Sequence, residues 1–170
     1  NTFYRMPAES VLQHWGEEVP DGFSFTLKAP RRITHMKQLK QVEADVAEFA
    51  RRAGVLGKKL GMLLFQLPPF LKKDVARLQG LFAGLPAGMR AAVEFRHDSW
   101  RDDEVHEMLR AHGRILCVAE NDDDEGETPL AVTSDIAYLR LRPTDYEEGD
   151  LRAWIERIAA QPLSRAYIYF

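Results

Sequence analysis

The chain has a single cysteine, Cys117, among its 170 residues. That excludes an intrachain disulfide framework and any zinc site built from several thiolates. No run approaches the ~18 apolar residues of a membrane span, and the opening Asn1 to Met6 lacks the charged-then-apolar order of a secretory leader. No membrane partner is expected, and a reducing cytoplasm is the expected compartment. Positive charge is also in short supply. Lys and Arg total 23 against 26 Asp and Glu, so the net charge of -3 argues against a general nucleic-acid coat or a polybasic membrane anchor. Catalytic signatures are missing too: there is no nucleophile elbow, no HExxH helix and no dinucleotide fingerprint. What is present is the balance of an ordinary globular chain, 45% hydrophobic and 29% charged.

The apolar pattern alternates between short β-rich runs and helical stripes, the signature of βα units around a parallel sheet. Strand candidates are a stub at Thr2-Phe3-Tyr4, then Phe23 to Lys28, Met62 to Leu67, Ala91 to Arg96, Ile115 to Ala119, Ile136 to Leu141 and Ala166 to Phe170. Helical stripes run through Val42, Val46, Phe49, Ala50 and Ala53, through Val75, Leu78, Phe82 and Leu85, and through Leu151, Trp154, Ile155 and Ile158. Shorter ones involve Val11, Leu12 and Trp15, and Val105, Met108, Leu109 and His112 before a capping Gly113. The acidic stretch Asp122 to Glu127 reads as a solvated loop, without the spaced ligands of a calcium site. No linker or repeat divides the chain, so residues 1–170 are expected to form a single (β/α)-barrel domain. A closed barrel takes about 250 residues, and both ends are therefore expected to be incomplete.

Strand parity locates the candidate site. Alternate residues face opposite sides of a strand, and in five runs one parity carries polar groups. Phe23, Phe25 and Leu27 oppose Ser24, Thr26 and Lys28; Leu63, Phe65 and Leu67 oppose Met62, Leu64 and Gln66. Glu94 and Arg96 share a parity, as do Tyr138, Arg140 and Arg142, and Tyr167 and Tyr169. Parallel strands buried on both faces read as almost continuous apolar runs. Polar residues near their C-terminal ends match the place where such barrels carry their sites. Lys28, Arg96 and Arg140 against Glu94 would leave positive charge uncompensated, which an anion would balance. Internal ion pairing is the bland alternative.

Other residues admit two readings. His97 after a strand suits a general base, with Trp100 as a stacking platform, or both belong to a structural turn capping the next helix. Gln66-Leu67-Pro68-Pro69 is a stiff turn or a rigid mount for Gln66. Gly54 to Gly61 has the wrong spacing for a phosphate loop and reads as a helix exit. His14, His35, His106 and His112 read as surface or helix residues, and Cys117 as a small hydrophobe.

The order of Asn1-Thr2-Phe3-Tyr4-Arg5, Phe23-Ser24-Phe25 to Lys28, Leu60-Gly61 with Gln66-Leu67-Pro68-Pro69, Ala92 to His97 with Ser99-Trp100, Tyr138-Leu139-Arg140 and Tyr167-Ile168-Tyr169-Phe170 resembles the YecE-like family, domain of unknown function 72. The resemblance implies a TIM-type (β/α) barrel with these motifs at its C-terminal mouth, and no established activity. Arg142-Pro143 stands where many members have His-Gly, and the family's opening strand and the polar residues after Phe170 are absent. The expected ligand is a small anionic or phosphorylated molecule, a phosphodiester or nucleic-acid backbone being one version. Tyr4, Lys28, Gln66, Arg96, Trp100, Tyr138, Arg140 and Tyr169 are the candidate ligand contacts, and Glu94 and His97 the candidate proton carriers. A hydrolase of phosphorylated substrates is the enzymatic form of this reading, a noncatalytic binding or accessory protein the other. No cofactor or metal is called for. A metal-assisted variant through His97, Glu94, Glu120 or Asp122 is subordinate, and no oligomeric state is assigned.

Overall fold

The computed structural model describes residues 2–120, 128–141 and 146–170. The acidic stretch 122–127 and the pair Arg142-Pro143 lie outside the described residues. The chain packs as two compact units, Asn1–Asp102 and Asp103–Phe170. Both are α/β, and every strand pairing given below is parallel. Among the described residues no helix is long and apolar enough to cross a membrane.

The first unit runs α1 (Glu9–Glu18), β1 (Phe25–Lys28), α2 (Glu43–Ala53), β2 (Leu60–Gln66), α3 (Val75–Ala83) and β3 (Ala91–Glu94). β2 pairs with β1 on one side and β3 on the other, with Lys28 opposite Leu64 and Gln66 opposite Glu94. Burial on both faces explains the unbroken apolar run Met62 to Phe65. Phe65 meets Phe49 of α2 edge-on at 6.0 Å, so the Leu63–Phe65 parity faces helix and the Gln66 parity faces away. The α2 stripe Val46, Phe49, Ala50 and Ala53 is buried, as are Leu78, Leu81 and Phe82 of α3. Asp74 caps α3 by accepting the Arg77 N–H at 3.1 Å. The two helices approach closely where Gly84 follows α3: a Cβ there would stand 2.5 Å from the Glu43 carbonyl oxygen.

Three expectations are corrected here. The stub Thr2-Phe3-Tyr4 is a turn, not a strand. Its polar groups are satisfied by the loop after β1, since the Thr2 hydroxyl donates to the Lys28 carbonyl at 2.6 Å and Phe3 O accepts the Arg31 N–H at 2.8 Å. Phe23 lies before β1 and is 45% exposed, while Phe25 stacks on Trp15 of α1 and takes the helix-facing role. β3 ends at Glu94, leaving Arg96 and His97 on the connection beyond it. Two segments without clear periodicity form helical turns, a wide one at Arg32–Met36 and a tight one at Gly54–Lys59. The latter contains Gly57 at φ 55°, a helix exit that glycine permits.

The second unit comprises α4 (Asp103–Ala111), β4 (Ile115–Glu120), β5 (Ile136–Leu141), α5 (Glu148–Ala159) and β6 (Arg165–Tyr169). β5 pairs with β4 and β6. Val118, Leu139 and Leu141 pack with Trp154 of α5 in its core. The opposite parity of β5 and β6 carries Tyr138, Arg140, Tyr167 and Tyr169, with Arg140 opposite Tyr169. Gly113 at φ 59° ends α4, and the next N–H, that of Arg114, donates back to the Leu109 carbonyl at 2.7 Å.

Candidate functional site

Parallel strands in α/β folds deliver their C-terminal residues to the ligand-binding edge of the sheet. In the first unit three adjacent strands end there on Lys28, Gln66 and Glu94. Their side chains form one hydrogen-bonded run. The Lys28 Nζ donates to Gln66 Oε1 at 2.6 Å, the Gln66 Nε2 donates to Glu94 Oε1 at 2.7 Å, and the Arg96 Nε donates to the same oxygen at 3.3 Å. An ammonium has only protons to offer and a carboxylate only lone pairs, so the Gln66 amide fits between them in one orientation. Glu94 is fully buried and Gln66 nearly so, and an ionised carboxylate at such depth requires these donors. The Arg96 side chain remains 32% exposed. Its Nε is committed to Glu94, and among the described residues its two terminal nitrogens have no hydrogen-bond partner. That places a planar two-pronged donor at the strand ends, anchored from behind by a buried acid.

Aromatic and imidazole groups stand beside the run. The Lys28 Nζ lies over the Phe3 ring, 4.2 Å from its centroid. The same ring meets His35 edge-on at 5.0 Å and Tyr4 edge-on at 5.1 Å. The Thr34 hydroxyl is 2.8 Å from His35 Nδ1. Partial burial holds the His35 pKa below its ordinary value, and Lys28, Arg31 and Arg96 push it the same way by charge repulsion.

The structure brings together Lys28, Gln66, Glu94 and Arg96 of the expected set. Tyr4 is nearby but 69% exposed. His97 Nδ1 accepts the Ser99 N–H at 3.1 Å, capping the short turn Asp98–Trp100. Trp100 is buried, stacked on Phe95 at 4.6 Å, with its Nε1 donating to the Leu71 carbonyl at 2.7 Å. The donor anchors the loop that follows Pro68-Pro69. Tyr138, Arg140 and Tyr169 belong to the second unit, where the Tyr138 ring is 5.3 Å from that of Tyr169. Tyr138 is buried there and Arg140 half-buried.

Of the residues named for a metal, Glu120 lies in the second unit, where its carboxylate accepts from Tyr146 and from the Trp154 Nε1 at 3.2 Å, and Asp122 is outside the described residues. Among the described residues no group of three or more His, Cys, Asp or Glu side chains is gathered in metal-binding range. Sequence reasoning missed His35 and Phe3 as neighbours of the run. The available signal was the density of cations in Arg31-Arg32, just after Lys28 and just before His35.

The family model described as "Protein of unknown function DUF72" matches residues 1–170. The chain is 27% identical to the UPF0759 protein YunF of Bacillus subtilis over 145 residues, which is 77% of this chain and 51% of that protein. It thus spans about half the length of this curated relative. A crystal structure of a DUF72 family protein from Thermotoga maritima, TM1631, superposes with a TM-score of 0.83 at 28% identity, covering 99% of this chain and 74% of that one. Another, EF0366 from Enterococcus faecalis, gives 0.82 at 17% identity over 99% and 78% of the two chains, a likeness of fold.

Proposed function

We propose that this chain, which belongs to the DUF72 family, binds a small anionic ligand at the strand ends of its first unit, against the terminal nitrogens of Arg96. The observation that carries this reading is the anchored guanidinium. Glu94 fixes one edge of Arg96, leaving the other edge with the parallel N–H pair that suits a carboxylate or a phosphate. The repulsion that Lys28, Arg31 and Arg96 exert on His35 supports an electropositive setting. Binding is favoured over proton transfer by a second observation. Glu94 Oε1 already accepts from Gln66 and Arg96, and His97 Nδ1 accepts the Ser99 N–H of the next turn, so each candidate proton carrier has a structural hydrogen bond to keep. Parallel strands alternating with helices in both units support the wider reading of the chain as part of a TIM-type barrel.

The test is a thermal-shift series with inorganic phosphate, sulfate and a sugar phosphate on the parent, Arg96→Ala and Arg96→Lys. A ligand at 100 times its Kd adds about 2.7 kcal/mol. Oxyanions are expected to stabilise the parent, Arg96→Lys less and Arg96→Ala not at all. Equal stabilisation of all three would refute the assignment. Arg96→Lys keeps a charge beside Glu94, so it guards against a variant that simply fails to fold.

A further inference from the structure

Resting on that reading, we infer that a tetrahedral oxyanion bound at Arg96 recruits His35 as a proton-carrying contact, so that ligand and proton bind together. The geometry puts the imidazole beside Lys28, the cation at one end of the run that ends on Arg96. His35 and the Lys28 ammonium lie against one Phe3 ring, at 5.0 Å and 4.2 Å from its centroid, so they are no more than about 9 Å apart. Thr34 holds Nδ1, and among the described residues Nε2 has no hydrogen-bond partner.

The charged groups around His35 are Lys28 from β1, Arg31 from the loop after it, and Arg96 from the connection after β3. Behind Arg96 and Gln66 stands the Glu94 carboxylate. With no ligand, partial burial and the three cations disfavour the imidazolium. A dianion hydrogen-bonded to the ring offsets that repulsion and favours the imidazolium. Two prongs of Arg96 and one N–H of His35 are three donors. Sulfate, phosphate and phosphate monoesters offer each donor an oxygen of its own, whereas a carboxylate would have to share one oxygen between two.

Sulfate is the cleanest probe, because it does not itself titrate near neutral pH. The experiment is isothermal titration of sulfate into the protein at pH 7 in two buffers of different ionisation enthalpy, repeated with His35→Gln. The expected result is net proton uptake by the parent, affinity rising by up to about tenfold per pH unit as pH falls, and neither effect in His35→Gln. Sulfate binding without proton uptake would overturn the inference and leave the anion site standing. No sulfate binding at any pH from 5.5 to 8 would overturn both. Thermal unfolding of His35→Gln in the absence of sulfate shows whether the variant is folded. If it is not, proton uptake by the parent is assigned by following the His35 ring resonances by NMR during the titration. A His35 that stays neutral in the complex contradicts the proposal.

Discussion

The Gln66 amide joins two groups of opposite charge: its Oε1 accepts the Lys28 ammonium at 2.6 Å and its Nε2 donates to the buried Glu94 carboxylate at 2.7 Å. Gln66→Leu keeps most of the volume and strips a donor from Glu94 and an acceptor from Lys28. Leaving a buried group short of a partner costs about 1–3 kcal/mol, and only Glu94 is fully buried, Lys28 being half-buried over the Phe3 ring, so the urea midpoint is expected to fall by the equivalent of about 1–3 kcal/mol. An unchanged midpoint would mean that the run is ornamental.

Trp100 joins packing to a single hydrogen bond. Trp100→Phe retains an aromatic ring against Phe95 and removes the donor to the Leu71 carbonyl, for an expected loss of about 1 kcal/mol. Trp100→Ala also opens a cavity and is expected to lose about 3–5 kcal/mol. Because the ring is buried, Trp100→Phe should leave sulfate affinity unchanged, and a drop in affinity would restore its role as a ligand contact.

His35 makes stability depend on pH in a defined direction. Its pKa is lowered in the folded chain from an ordinary value of 6.5. As pH falls through 6.5 the unfolded chain takes up a proton that the folded chain resists, so stability is fully present above 6.5 and declines below it. The pH profile of the unfolding free energy of the parent, minus that of His35→Gln, is expected to slope upward with pH through this window. A flat difference profile contradicts the assignment of a lowered pKa.

The contact between α2 and α3 is set by the absence of a side chain. Gly84→Ala would put a methyl group 2.5 Å from the Glu43 carbonyl oxygen and 2.8 Å from the Val46 Cβ. Backbone cannot swing aside as a long side chain would, so the helices must part, at an expected cost of about 1–3 kcal/mol. Gly54→Ala, where no neighbour lies within 4 Å, is the matched control and should stay within about 0.5 kcal/mol.

Much of the frame was legible because period is legible. Val46, Phe49, Ala50 and Ala53 recur at helical spacing, and Gln66 and Glu94 sit on the polar parity of short β-rich runs. Lys28 was legible for the same reason. Arg96 shares the parity of Glu94 but lies past the last ladder position, because strand ends are decided by pairing with a neighbour and not by the run itself. His35 escaped notice since the wide turn Arg32–Met36 has neither a two-residue nor a 3.6-residue repeat, and what makes it relevant, the shared contact with Phe3, is 32 positions away in the chain. Trp100 misled in the other direction. Its place after a strand suggests a site, whereas its burial depends on Phe95 and on a loop carbonyl that no local pattern announces.

The outward edge of Arg96 is where the anion is expected to sit. Crystals of the protein soaked in selenate, a sulfate analogue with an anomalous signal, would locate the anion directly. An anomalous peak is expected within hydrogen-bond reach of the two Arg96 terminal nitrogens, and none at that place in Arg96→Ala crystals at the same concentration. A peak that persists in Arg96→Ala, or no peak near Arg96 in the parent, would refute the anion site.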